Sequence, residues 1–170
     1  MSVMRDLATS IFSQMYTRSL KKQHLYKSKK DQIRNDVVHF EIAENVGLEV
    51  YWKILKVAEG PSLIFYALGY EILRFDTYIN GQAHCHIQLI ECQKKSRSRL
   101  FLPEKTVEEQ IERSIFELQN NLNYWLQRHP DSQVRKLKVD KSKLQIATEK
   151  SQGKMLEYAE KIKNTAQITN

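Results

Sequence analysis

The chain predicts an α+β fold: an antiparallel β-meander of about five strands, covered on one face by a long amphipathic helix and flanked by N- and C-terminal helices. Three observations predict it. Between residues 36 and 93, runs rich in β-branched and aromatic residues alternate with turn residues. The connections between those runs are too short for parallel crossovers. From Thr106 onward the apolar spacing becomes helical and keeps one stripe for about six turns. The chain divides accordingly into residues 1–35 (helix and basic segment), 36–130 (meander plus helix core) and 131–170 (basic extension, helical in pattern).

Taken in order, Met4, Leu7, Ala8, Ile11, Phe12 and Met15 recur at helical spacing. A basic segment follows, in which Lys21, Lys22, Lys29 and Lys30 could track a phosphate backbone while Tyr26 stacks on a base. The same composition also suits a solvated helix end. Asp36 opens the sheet, and Val38, Phe40 and Ile42 alternate with His39 and Glu41 as in a half-buried strand. Gly47 marks a break. Leu48 to Val57 forms a longer strand with Val50, Trp52 and Ile54 on one face, and Glu59-Gly60-Pro61 marks a turn. Ser62 to Leu68 is apolar on both faces, as a central strand would be.

Tyr70 to Ile90 reads as a hairpin about Asn80-Gly81. A two-residue loop would set Thr77 opposite His84. A three-residue loop, Ile79-Asn80-Gly81, would set Asp76 opposite His84 and Arg74 opposite His86. One step of register exchanges the faces. Only the second register places Leu73 and Phe75 on the same face as Ala83, Cys85, Ile87 and Leu89. It therefore gathers Arg74, Asp76, His84 and His86 on the other face, as cross-strand neighbours about 5 Å apart at Cβ.

Beyond the hairpin, Lys94, Lys95, Arg97 and Arg99 form the densest positive cluster, a basic loop able to grip phosphates or simply to be solvated. Thr106-Val107-Glu108-Glu109 is a capping box, and Val107, Ile111, Ile115, Leu118, Leu122 and Trp125 carry the stripe that Pro130 ends. Gln133 to Val139 suggests a short final strand of poor alternation. Met155, Ala159, Ile162 and Ala166 line a last helix whose small apolar face, weakened by Gly153, suggests ordering against a partner.

The net charge of +7 is uneven: +6 over residues 1–35, −5 over 36–93 and +6 over 94–170. Basic flanks favour a polyanion such as RNA, or an acidic protein partner. The longest apolar run is far short of a bilayer span, no secretory signal is visible, and Cys85 and Cys92 are too few for a disulfide framework. A cytoplasmic protein is the expectation. No phosphate-binding loop, dinucleotide fingerprint or nucleophile elbow is present.

Three chemistries fit the hairpin face. Asp76, His84 and His86 could ligate a metal as two histidines and one carboxylate. His84 could act as a base oriented by Asp76 while Arg74 stabilises charge on phosphorus, a trio suited to RNA cleavage through the 2′-hydroxyl. Or the residues form a polar ladder on a solvated face.

Leu73-Arg74-Phe75-Asp76 followed by His84-Cys85-His86, with the later helix start Pro103 to Glu109, resembles the TumE-like toxins of bacterial toxin–antitoxin modules, over roughly Val50 to Trp125. The resemblance implies a meander-plus-helix plan in a bacterial cytoplasmic protein that acts on RNA and is held by an antitoxin. Arg74, Asp76, His84 and His86 are the matching positions. Two functions stand against each other: a toxin-like RNA-binding or RNA-cleaving component, and a non-catalytic interaction module whose terminal helices dock a partner.

Overall fold

The computed structural model describes residues 33–168, except 57, 80 and 88–97. The N-terminal helix and Lys21, Lys22, Tyr26, Lys29, Lys30, Lys94, Lys95 and Arg97 lie outside the described residues, as do Cys92 and the side chains of Ile162 and Ala166. The described chain is an α+β fold with an open antiparallel sheet of six strands in sequence order: β1 (Ile33–Ala43), β2 (Val46–Ile54), β3 (Glu59–Ala67), β4 (Tyr70–Asp76), β5 (His84–Ile87) and β6 (Ser98–Phe101). Helices α1 (Val107–Arg128), α2 (Ser132–Arg135) and α3 (Lys141–Ile168) follow. No helix among the described residues is long and apolar enough to cross a membrane.

The strand most apolar in sequence, β3, is indeed interior, with every residue from Gly60 to Phe65 buried. Its turns sit differently from the expectation. Glu59-Gly60-Pro61 begins β3, and the turn before it is closed by Leu55 N–H donating to Ala58 O at 2.9 Å. Gly47 lies inside β2, and the turn belongs to Glu44 and Asn45, the latter at φ 58°. An Asn tolerates that left-handed conformation through its short polar side chain. Gly47 is needed for closeness: a Cβ there would sit 2.8 Å from Phe40 O.

One sheet face is the core. Val50, Trp52, Leu63, Phe65, Leu73, Phe75 and Cys85 pack there with the α1 stripe Val107, Ile111, Ile115, Leu118, Leu122 and Leu126. The α1 start is the expected capping box, with Thr106 Oγ1 accepting from Glu109 N–H and the Glu109 carboxylate accepting from Thr106 N–H. Gln133 to Val139 is not a strand. Asp131 caps the short α2 by accepting from Gln133 N–H at 2.8 Å, a local bond that an alternating pattern does not foresee.

Helix α3 runs through Gly153 and packs on β1, β2, β3 and α1, so the described part of its apolar face is satisfied within the chain. Leu144, Ala147, Met155, Tyr158 and Ala159 join the same core, and Tyr158 donates its hydroxyl hydrogen to Asp36 O.

His129, just after α1, is 1% exposed and edge-on to Tyr70 with ring centroids 4.7 Å apart. Burial pushes its pKa down to about 4, against the opposing pull of Asp131. The unfolded chain takes up this proton near the ordinary value of about 6.5. Stability is therefore complete above that value and falls as pH drops toward 4, by about 3 kcal/mol from His129 alone. Urea midpoints at pH 7 and pH 4 check this. A His129→Gln variant should lose less stability over the same interval.

Candidate functional site

The face opposite the core is organised by two rows that cross the sheet. Tyr51, Ser62, Asp76, His84 and Phe101 are successive cross-strand partners from β2 to β6. Glu49, Ile64, Arg74, His86 and Arg99 form the adjacent row. The register expected from the apolar pattern is the observed one, with Asp76 opposite His84 and Arg74 opposite His86. The ladder between β4 and β5 ends there: Tyr78 N–H donates to Gln110 Oε1 of α1 at 2.9 Å, while Thr77 and Ile79 stay with β3, donating to Pro61 O and Glu59 O at 3.1 Å each. Gly60 permits this crossing. A Cβ on it would lie 2.1 Å from Thr77 O.

The centre of this face is not solvated. Arg74, Asp76, His84 and His86 are 4%, 0%, 7% and 2% exposed, and Tyr51, Lys53 and Tyr78 beside them are buried too. Asp76 is the hub. Its Oδ2 accepts from Lys53 Nζ at 2.7 Å and lies 3.0 Å from His86 Nε2. Its Oδ1 accepts from Ser62 Oγ at 2.9 Å. Arg74 Nε stands 3.3 Å from Oδ1, within ion-pair range but off the hydrogen-bonding direction, and Arg74 Nη1 pairs with Glu71 at 3.2 Å. Burial alone would raise the carboxyl's pKa, but the His86 hydrogen bond and the Arg74 and Lys53 charges hold it well below the usual range. Burial lowers Lys53, partly offset by Asp76.

The proton positions follow from the partners. His84 Nδ1 is 3.0 Å from Gln82 O, and a carbonyl only accepts, so Nδ1 carries the hydrogen and Nε2 is bare in the neutral ring. His86 Nε2 lies 3.0 Å from both His84 Nε2 and Asp76 Oδ2, two acceptors, so it carries a hydrogen. Burial lowers both imidazole pKa values, which keeps both rings neutral at pH 7. His84 Nε2 thus shares the His86 Nε2–H with Asp76 Oδ2, and that buried anion, 3.6 Å away, would stabilise the protonated ring.

Both histidines line a pocket of about 340 Å³ with Lys53, Leu55, Ala58, Arg74, Tyr78, Gly81, Gln82 and Arg99. Among the described lining residues there are three cationic side chains and no carboxylate. Arg74 Nη2 has no hydrogen-bond partner among the described residues, although the side chain is buried.

The same three ligand atoms of Asp76, His84 and His86 lie within 4.8 Å of one another, and the His84 Nδ1 bond to a carbonyl is what a metal-bound histidine would need. The rest of the site does not fit a divalent cation. Lys53 already holds the Asp76 oxygen that would ligate, His86 Nδ1 has no hydrogen-bond partner among the described residues to orient the ring, and three cationic side chains line the pocket. The donor set serves proton transfer better than ligation.

No family model, curated protein or solved structure matches the chain. The site is read on its own geometry. Of the positions expected to bind nucleic acid, Arg99 is the one described, and it lines this pocket from β6 and not from a loop. Lys53, Ser62 and Tyr78 were not foreseen. Only the strand pairing could have found them: with Trp52 facing the core, Tyr51 and Lys53 must face the site, and Ser62 stands opposite Tyr51.

Proposed function

We propose that the protein is a toxin-like, RNA-directed component whose pocket cleaves the RNA backbone by metal-free acid–base chemistry. The observation that carries this reading is the unprotonated Nε2 of a buried, neutral His84 in a pocket lined by Lys53, Arg74 and Arg99. A 2′-hydroxyl would give its proton to His84 Nε2 as its oxygen bonds to the adjacent phosphorus, and the His86 Nε2–H that shares this lone pair would turn wholly to Asp76 Oδ2. Arg74 and Arg99 would stabilise the charge that grows on the phosphoryl oxygens. The bond from phosphorus to the 5′-oxygen then breaks, and that oxygen takes a proton from the Lys53 ammonium, which burial makes more acidic than usual. Asp76 holds Lys53 and His86 in place and balances the imidazolium on His84.

The interaction-module reading has less support, since the described part of the C-terminal helix is already packed inside the chain. An acidic antitoxin covering the positive pocket is compatible with the cleavage reading.

The test is incubation of the full chain with a labelled single-stranded RNA and its all-deoxy counterpart, with and without chelator. RNA should be cut to 2′,3′-cyclic phosphate ends, the deoxy strand should stay intact, and chelator should change nothing. Cleavage of both strands would overturn the 2′-hydroxyl chemistry, and loss of cleavage in chelator would overturn the metal-free chemistry.

A further inference from the structure

The two rows on the site face end on β6, and their last residues are Arg99 and Phe101. Phe101 is a large apolar side chain left 50% exposed, yet it is the cross-strand partner of His84, with ring centroids 5.9 Å apart in an edge-on arrangement. One face of its ring is therefore not used by the histidine. Arg99, partner of His86, is exposed at its own end and lines the pocket. The two residues sit i, i+2 on one strand, so they face the same way about 7 Å apart. A nucleotide's base and its phosphate are separated by a comparable length. Leu100, the residue between them, points to the other face and has no part in this arrangement.

Resting on the RNA-cleavage reading, we propose that Phe101 and Arg99 form a nucleotide subsite: a base stacks on the Phe101 ring while its phosphate enters the carboxylate-free pocket at Arg99 and Arg74. Two observations point to a nucleotide over an apolar partner. The half-exposed ring stands on the same strand as Arg99, and the pocket that Arg99 lines carries three cationic side chains and no carboxylate among its described lining residues. Aromatic stacking tolerates any base, because every base has a π-face. The subsite would therefore set where the backbone is held, and leave base identity nearly free. It would also bring the sugar over His84, between the two anchors.

The test is calorimetric binding of 3′-AMP and of inorganic phosphate to the full chain and its variants. In the wild type, 3′-AMP should bind more tightly than phosphate. Phe101→Ala should weaken 3′-AMP about ten-fold and leave phosphate unchanged. Phe101→Trp should keep the wild-type affinity, and Phe101→Leu, apolar without a π-face, should behave as the alanine variant. Arg99→Ala should weaken both probes. If 3′-AMP binds Phe101→Ala or Phe101→Leu as tightly as wild type while phosphate still binds, the stacking subsite is wrong and the cationic pocket stands. If neither probe binds the wild-type chain, the pocket does not recognise phosphate, and the RNA reading falls together with the subsite.

Discussion

Replacing Asp76 with alanine should destabilise the protein by about 3–5 kcal/mol, the range for removing one partner of a buried ion pair. The carboxylate is 0% exposed and is shared by Lys53, Arg74, Ser62 and His86. Its loss strands a buried ammonium whose own pKa burial already lowers, and it leaves the guanidinium of Arg74 with Glu71 alone among its two carboxylate partners. Asp76→Asn keeps the shape and one acceptor oxygen, so it should cost less. Adding Lys53→Met to Asp76→Ala should recover part of the loss, because the apolar side chain carries no charge to bury. Urea midpoints of the four proteins at pH 7 measure this. A loss below about 1 kcal/mol in Asp76→Ala would mean that water screens the network, and the low-dielectric argument for its proton positions would go with it.

The register of the central hairpin was legible because a one-residue slip would have exchanged Leu73, Phe75 and Cys85 with Arg74, Asp76 and His86, and only one set belongs in a core. The burial of the second set was not legible. It depends on Tyr51 and Lys53 arriving from β2 and on Tyr78 crossing beside Gly60, contacts set by strand order and not by local pattern. Strand β6 was hidden because its four residues include Arg99 and follow a basic run that reads as loop. The segmental charges misled in a related way: Lys53 and Arg74 lie in the acidic stretch, yet they meet Arg99 from the basic flank in one positive pocket.

The last helix shows a different limit. Its buried positions Leu144, Ala147, Thr148, Ser151, Met155, Tyr158 and Ala159 follow helical spacing closely. Four of the seven are alanine, serine or threonine, so the stripe is weak in hydropathy while its small side chains allow close approach to the sheet and to α1. Gln119 of α1 takes advantage of that approach by donating to Thr148 Oγ1 at 2.8 Å. Amplitude of hydropathy missed what spacing and residue size together describe.

His84→Ala should lower RNA cleavage by about 10²–10⁴-fold, the usual contribution of a general base, with the fold retained. The ring makes one backbone hydrogen bond and one to His86 and meets the Tyr78 and Phe101 rings, so its loss should cost about 1–2 kcal/mol, less than that of Asp76. The pocket that opens is continuous with the site, and added imidazole should restore part of the rate. The pH profile gives an independent check. Catalysis requires neutral His84, and burial lowers its pKa below the ordinary histidine value. Activity should therefore persist below pH 6.5 and fall only as pH drops through that lowered value. His86→Ala removes the donor between Asp76 and His84, and should move this acid limb as well as lower the rate. His86→Gln keeps a donor near the same place and should recover more of the wild-type profile than alanine does. Unchanged cleavage in a folded His84→Ala protein would assign the two histidines to the polar network alone, because no other neutral imidazole among the described residues lines the pocket except His86.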